Sequence, residues 1–341
     1  MSQQPKRFTA CSLFSGGGLL DFSFKDHFDF IWANELNPSA AMCYQANVGD
    51  HMVVGDINSL DIESIPEADV FLGGPPCTDF STDGANKGEA GDAGRLIWPY
   101  FDVIRNKKPK AILFENVSGL KKRHKKTLDK LVLAFEEIGY RVTLEELDAA
   151  DFGCPSYRSR VFLVGIRSDL GYSFTFPKPT DQRSSVRDAI GDLPLPCEVS
   201  MSDRILGTVP NHLVTWTSPS PERIREILSR PNPNQWYTMR RLDWDRPSHT
   251  LVAHIAKDGR EFLHPSLDRK ITVREMLRLM GMPDSFVIPK DIKITQQYRL
   301  VGNGVAYPVG KALAEALHSQ LQGNAKNPEI RIEQLQFDFA C

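Results

Sequence analysis

The stretch Phe71-Leu-Gly-Gly-Pro-Pro-Cys-Thr-Asp-Phe-Ser81 constrains this chain more than any other. A short apolar strand, Asp69-Val-Phe-Leu72, breaks at two glycines and two prolines and delivers Cys77 on the far side. Glycine lets the backbone turn sharply, and proline fixes φ and stiffens the turn. A thiol on a rigid elbow at the carboxyl end of a strand is placed for chemistry in the crevice of an open α/β sheet. A small buried core residue is the commoner fate of a free cysteine, so the elbow by itself leaves the role of Cys77 open.

Other strands end in a similar way. Phe8–Phe14 reads as a buried first strand running into Ser15-Gly-Gly-Gly-Leu19, with a helix to follow. Strand, glycine turn and helix together suit a nucleotide-like ligand, because bare backbone approaches it closely. Phe30–Ala33 is a second strand with Glu35 at its tip, and Val53–Ile57 a third that Asp56 ends. Acids at successive strand tips beside a glycine turn favour a bound adenosine moiety, Glu35 standing where a ribose diol is held. Ala111–Phe114 is a further buried strand, tipped by Glu115-Asn-Val117, and in a doubly wound sheet that tip opens on the same edge as Cys77.

Composition narrows the class. The 341 residues are 41% hydrophobic and 25% charged, as in soluble globular proteins. The net charge of −2 leaves any anion-binding surface to local clusters. The densest is Lys121-Lys-Arg-His-Lys-Lys126, directly after Glu115; at that edge a phosphate backbone is its natural partner. The six cysteines are scattered without a Cys-x-x-Cys pair, which argues against zinc or a disulfide framework and for a reducing compartment. No apolar run has the length of a membrane span and no leader pattern opens the chain, so a cytoplasmic protein without a metal site is expected.

Thr82–Gly94 is polar and glycine-rich, a candidate lid. Leu128–Ile138 reads as an amphipathic helix and Tyr140–Leu147 as a strand. Alternation places Arg158 and Arg160 on one face at the mouth of the apolar strand beyond them, where guanidinium groups need an acceptor. From Pro177 to Pro247 the chain turns irregular, with Trp216, Trp236, Arg240, Arg241 and Trp244 recurring. Ile271–Met280 reads as a capped helix stopped by Gly281, and Tyr298–Pro308 as a loop entering a last helix.

Taken together these residues resemble the DNA cytosine-5 methyltransferase family from Leu13 to about Leu317, with its motifs in order. Phe14-Ser-Gly-Gly-Gly18 is similar to its methyl-donor motif, Gly74-Pro-Pro-Cys77 to its nucleophile motif, and Glu115-Asn-Val117 to its Glu-Asn-Val motif. Arg158-x-Arg160 matches its Gln-x-Arg-x-Arg motif, Thr272–Glu275 with Leu279–Asp284 its late helix, and Gly302-Asn-Gly-Val305 its last motif. Three positions depart from the pattern: Ser156 and Thr78 stand where Gln is usual, and Gly304 where Ser is usual.

The resemblance implies a Rossmann-like, mostly parallel doubly wound α/β sheet with a smaller irregular target-recognition domain. The catalytic and donor-binding part would span residues 1–178, target recognition 179–291, a return to the catalytic domain 292–322 and a tail 323–341. It implies transfer of a methyl group from S-adenosylmethionine to C5 of a flipped cytosine in double-stranded DNA, leaving S-adenosylhomocysteine. Cys77, Glu115, Arg158 and Arg160 would be catalytic. Phe14, Gly16, Gly18, Leu19, Glu35, Leu36, Asp56, Ile57, Asn303 and Val305 would hold the donor. Thr78, Ser81, Arg95, Lys121, Lys122, Arg123, Lys125, Arg240 and Arg241 would touch DNA. The alternatives are a tRNA cytosine-5 methyltransferase and a catalytically silent nucleic-acid-binding protein on the same scaffold. A monomer associated with the nucleoid, paired with a restriction endonuclease or acting alone, is expected. The tail segment Gln334–Phe339 loosely resembles short peptides that dock on sliding clamps; a terminal strand packed on the chain's own surface is the commoner outcome for such a segment.

Overall fold

The computed structural model describes residues 7–76, 91, 94–180, 182–198, 209–214, 220–229, 240–253 and 262–324. Cys77, Thr78 and Ser81, most of the expected lid, and the tail with Gln334–Phe339 lie outside the described residues.

Seven strands form one sheet: β1 (Phe8–Leu13), β2 (Phe28–Glu35), β3 (Met52–Val54), β4 (Val70–Gly73), β5 (Ala111–Val117), β6 (Tyr140–Asp148) and β7 (Ser159–Arg167). Their order is β3-β2-β1-β4-β5-β7-β6. The first five run parallel, and β7 lies antiparallel between β5 and β6. The connections carry α1 (Leu19–Phe24), α2 (Pro38–Asn47), α3 (Ile97–Lys107), α4 (Ser118–Arg123) and α5 (Lys125–Glu137). The expected doubly wound, mostly parallel sheet is the fold observed. Strand β1 connects outward to β2 and β3 on one side, while β4 and β5 continue on the other. The order therefore reverses between β1 and β4, and a reversal of that kind opens a crevice at the carboxyl edge.

Strand pleating explains why both faces are apolar. Val70 and Leu72 of β4 join one core layer, with Ala10, Leu113 and Val164, and Phe71 joins the opposite layer, with Cys11, Ile112 and Phe114. Alternate side chains of a strand point to opposite faces, so a strand covered on both reads as a continuous apolar run. Tyr100 of α3 lies directly under the tip of β4. Its hydroxyl donates to Phe71 O and Leu113 O, each at 3.2 Å, and its ring occupies the space a Cβ on Gly73 would need.

The chain beyond β7 adds α6 (Val186–Ile190), α7 (Pro221–Leu228), α8 (Val273–Leu279), α9 (Ile294–Asn303) and α10 (Tyr307–Ser319). Two short parallel pairs accompany them, β8 (Cys197–Glu198) with β9 (Leu213–Val214) and β10 (Arg240–Arg241) with β11 (Phe262–Leu263). Helix α8 begins at a reciprocal capping box between Thr272 and Glu275, and Arg269 clasps the Glu275 carboxylate with both guanidinium nitrogens. Val186, Ile190, Leu242, Phe262, Met276 and Phe286 belong to the same apolar cluster as Ala10 and Leu72.

Two expectations of local structure change. The stretch read as a loop from Tyr298 is mostly helix, because Gln297, Tyr298, Leu300 and Val301 form one buried helical face that outweighs the Gly-Asn-Gly signal. The third strand stops at Val54. Asp56 instead caps a 3-10 turn, Ile57–Ser59, its carboxylate accepting from the Asn58 N–H at 3.0 Å; local side-chain bonds of this kind compete with strand pairing.

Gly302 of α9 lies directly against another backbone segment. A Cβ there would stand 2.4 Å from Ala253 Cα and 2.6 Å from the Val252 carbonyl carbon. Gly302→Ala should destabilise the protein by roughly 1–3 kcal/mol, the usual cost of forced overpacking. Urea unfolding followed by tryptophan fluorescence measures it, and a midpoint equal to wild type would contradict this packing.

Candidate active site

A cavity of about 340 Å³ opens at the carboxyl ends of β1, β2 and β4. Its floor is the turn after β1, where Phe14, Gly16 and Gly18 all adopt positive φ (54°, 55° and 82°). For a phenylalanine this is a costly conformation, of a kind that persists only where the surroundings enforce it. Gly18 itself does not line the cavity. It precedes α1, and a Cβ there would press on Tyr44 and Val48 at 3.0 Å. Of the residues expected at a donor site, Phe14, Gly16, Leu19, Glu35, Leu36, Asp56, Ile57, Asn303 and Val305 do line it.

Glu35 has work beyond facing the cavity. One carboxylate oxygen accepts from the Gly16 N–H at 2.9 Å and the other from the Asn37 N–H at 2.8 Å, so it ties the glycine turn to the entry of α2. Buried Asn34 pins the next loop by donating to Val53 O and Gly55 O. Sequence reading missed Asp21, Arg299 and Leu300 as cavity residues. Asp21 carries no local mark of burial in the sequence, and Arg299 and Leu300 fell in the stretch read as a loop.

The far end of the cavity is the tip of β5. Glu115 is buried there, with Arg160 Nε 3.1 Å from its carboxylate. Burial pushes the Glu115 carboxyl above the ordinary glutamate range, and the charges of Arg160 and Arg158 pull it back in part. Gly74 sits against the same carboxylate, where a Cβ would lie 3.3 Å from Oε2. Asn116 donates to Pro75 O at 3.2 Å and so holds the elbow that leads toward Cys77. The tips of β4, β5 and β7 thus bring Gly74–Pro76, Glu115 and Arg160 to one wall.

Arg158 takes a different path from its neighbour. It is only 2% exposed, and its guanidinium donates to Leu251 O at 3.0 Å and Gly302 O at 2.7 Å. Those carbonyls are the acceptors its position demanded. Ser156, where the family pattern has Gln, is fully buried and bridges to Ser248. Gly304, where the pattern has Ser, faces Leu19: a Cβ would be 2.4 Å from Leu19 Cδ2.

The basic run lies across the α4–α5 junction, immediately after β5. Lys122 pairs with Glu146 at 2.9 Å, and Lys125 approaches Asp129 at 4.0 Å. Arg95 lies on an exposed turn before α3, and Arg123 and Arg240 are exposed. Arg241 is held inside, donating to His264 O and Leu267 O and pairing with Asp268. No group of three or more metal-ligating side chains occurs among the described residues. No helix among them is long and apolar enough to cross a membrane.

The model of the C-5 cytosine-specific DNA methylase family matches residues 8–319. The chain belongs to that family. It is a DNA cytosine-5 methyltransferase. The Type II methyltransferase M.MthTI of Methanothermobacter thermautotrophicus is 34% identical over 327 residues, spanning 92% of this chain and 97% of its own. The Type II methyltransferase M.NlaX of Neisseria lactamica is 34% identical over 329 residues, with the same coverage. Among solved structures, a putative DNA modification methyltransferase from an Escherichia coli prophage superposes with a TM-score of 0.72 at 20% identity, covering 92% of this chain and 99% of that one. The Dnmt2 methyltransferase of S. pombe superposes at 0.66 with 19% identity, covering 93% and 100%. These two likenesses speak for the fold.

For a methylase of this family the Glu115–Arg160 pair gives a direct test of the wall. Arg160→Leu removes the main charge that offsets burial, so the Glu115 carboxyl should titrate still higher than in wild type. Carboxyl-carbon NMR of selectively labelled glutamate reads this in the free protein; an unmoved or lowered titration would remove the pair from the site.

Proposed function

We propose that the cavity holds S-adenosylmethionine and that the β4–β5–β7 wall holds the flipped cytosine. The observation carrying this reading is the continuity of the two: Glu115 and Arg160 line the same cavity as the glycine turn and Glu35, directly beside the elbow that leads to Cys77. The residues fit the donor. Leu19, Leu36, Ile57 and Val305 offer an apolar slot for a flat ring, and Glu35, oriented by two backbone donors, keeps lone pairs for a ribose diol. Asp56 faces the same opening, as a partner for the adenine amine. Asp21 contributes a buried carboxylate oxygen that lacks a hydrogen-bond partner in the protein. Bound there, S-adenosylmethionine supplies an electrophilic methyl group for C5 of the base.

The chain's own residues make the base receptive. Cytosine C5 is a poor nucleophile until C6 is attacked, and the Cys77 thiolate is the group for that attack. Glu115 at the base edge binds N3 and the exocyclic amine. Burial raises the proton affinity of this carboxyl, so that it can share a proton with N3 as the thiolate adds and draw charge off the ring. Arg160 binds O2 of the base. Arg158, with its guanidinium committed to two carbonyls, acts as a brace rather than as a contact of the base. Loss of the C5 proton to a base or water then lets Cys77 leave. None of these atoms is reachable in a stacked pair, so the base must leave the helix.

On the same reading, residues 179–291 recognise the target and the α4–α5 run follows the DNA backbone. Arg240, which is exposed, lies at the DNA surface on this reading, whereas Arg241 is part of the local framework. The names of the curated relatives favour a partner restriction endonuclease.

Incubation with tritiated S-adenosylmethionine and duplex DNA should label the DNA and leave tRNA unlabelled. Cys77→Ser should abolish labelling while keeping DNA affinity, and a fluorocytosine duplex should trap the wild type covalently. Near wild-type labelling by Cys77→Ser would sink the covalent reading. Replacing Lys121, Arg123 and Lys126 together with Gln should weaken binding to all sequences alike. It should also flatten the dependence of log affinity on log salt, by about 0.9 for each phosphate that is no longer neutralised. An unchanged slope would return the run to ordinary solvated surface.

A further inference from the structure

The cavity wall contains one buried acid that neither the turn nor the base wall uses. Asp21 sits on α1, is 1% exposed and lines the cavity. Its Oδ2 has no hydrogen-bond partner, the one buried carboxylate oxygen in that condition among the described residues. The other acids of the wall are engaged: Glu35 by two backbone N–H groups, Asp56 by Asn58 and Glu115 by Arg160. A buried carboxylate facing a cavity without a counter-charge is costly and calls for a cation from the ligand.

We propose that Asp21 is the counter-charge of the donor site, selecting the sulfonium donor over the neutral thioether that remains after methyl transfer. The proposal rests on the reading of this cavity as the S-adenosylmethionine site. Donor and product share the adenosine and the amino-acid end; they differ by one methyl group and one permanent positive charge. An electrostatic partner in the wall is therefore the direct way to tell them apart, and in a dry site such a partner acts strongly.

The surroundings support a carboxyl that changes state with the ligand. Burial pushes Asp21 up to about 7, while the hydroxyls of Ser12 and Tyr44 favour its charged form. From β1 it is faced by Ser12 and from α2 by Tyr44, whose hydroxyl burial holds neutral. On its own helix Lys25 is turned away, its Nζ over the Phe22 ring and donating to Asn47 O. From α10, Tyr307 packs on Phe22, and Lys311 and Glu315 pair at the surface. Glu35 and Arg299 stand elsewhere on the cavity wall. The Tyr44 hydroxyl meets His51 Nε2 at 2.8 Å, and His51 borders a surface cleft, so a proton leaving Asp21 has a hydrogen-bonded route to solvent. Donor binding would release that proton; after the methyl group leaves, Asp21 would take one up again and the neutral product would be held no longer by charge.

Calorimetry on the full chain without DNA tests this, with S-adenosylmethionine and S-adenosylhomocysteine titrated between pH 5.5 and 8.5 in buffers of differing ionisation heat. In the wild type, the ratio of product to donor dissociation constants should rise on the order of tenfold as pH increases through neutrality, as for an opposite charge brought next to a carboxylate. Donor binding below neutrality should release up to about one proton more than product binding does. Because the amino-acid end is common to both ligands, its titration cancels in the ratio. Asp21→Asn should give a flat, lower ratio and no difference in proton release. Tyr44→Phe keeps the packing and removes a hydroxyl that favours the charged form, so the wild-type rise should move to higher pH. A pH-independent ratio in the wild type, or the wild-type profile retained in Asp21→Asn, overturns the proposal while leaving the donor site standing. Failure of both ligands to bind at any pH overturns the donor-site reading, and the proposal with it.

Discussion

The buried guanidinium of Arg158 holds the two halves of the site together. It leaves the start of β7 and reaches the carbonyls of Leu251 and Gly302, residues far along the chain. That bridge ties the wall formed by α9 to the sheet edge that carries Glu115. A fully buried charge is tolerated when it is hydrogen-bonded to several acceptors, and here the acceptors are backbone carbonyls. Gly302 completes the joint: with no side chain there, the backbone of α9 lies directly on Val252 and Ala253.

Much of this arrangement could be read from the sequence because sheet edges leave strong local marks. Apolar runs ended by Phe14, Glu35, Gly73 and Glu115 marked the strands, and glycine and proline marked their turns. The fold class and the edge that carries the site came from those marks, with Gly16, Glu35, Asp56 and Glu115; Leu36, Ile57, Asn303 and Val305 came from the family resemblance. The features that escaped depend on contacts between distant segments. Helix α9 was hidden by a Gly-Asn-Gly signal that tertiary packing outweighs, and with it went Arg299 and Leu300. Asp21 was equally silent, since its burial is created by β1 and α2, and nothing within α1 announces it. Gly18 looked like part of the ligand cradle, yet its missing side chain makes room for Tyr44 and Val48.

Charge was the least legible quantity, because a sequence displays cations without their partners. Arg158, Arg241 and Arg274 would all count toward a basic surface. In the folded chain each satisfies backbone carbonyls: Leu251 and Gly302, His264 and Leu267, and Pro210 and Phe286 respectively. Exposed cations concentrate instead at the α4–α5 junction, immediately after the strand that carries Glu115. A nearly neutral chain can thereby present a local positive field where a phosphate backbone has to pass.

The close fit of Leu19 against Gly304 joins two positions from opposite ends of the chain. One volume beside the cavity is shared between them, and leucine occupies nearly all of it. The missing serine hydroxyl in the last motif is therefore a steric consequence of the residue chosen at position 19. The constraint runs one way: a side chain at 304 needs room that Leu19 now fills, whereas a smaller residue at 19 asks nothing of Gly304.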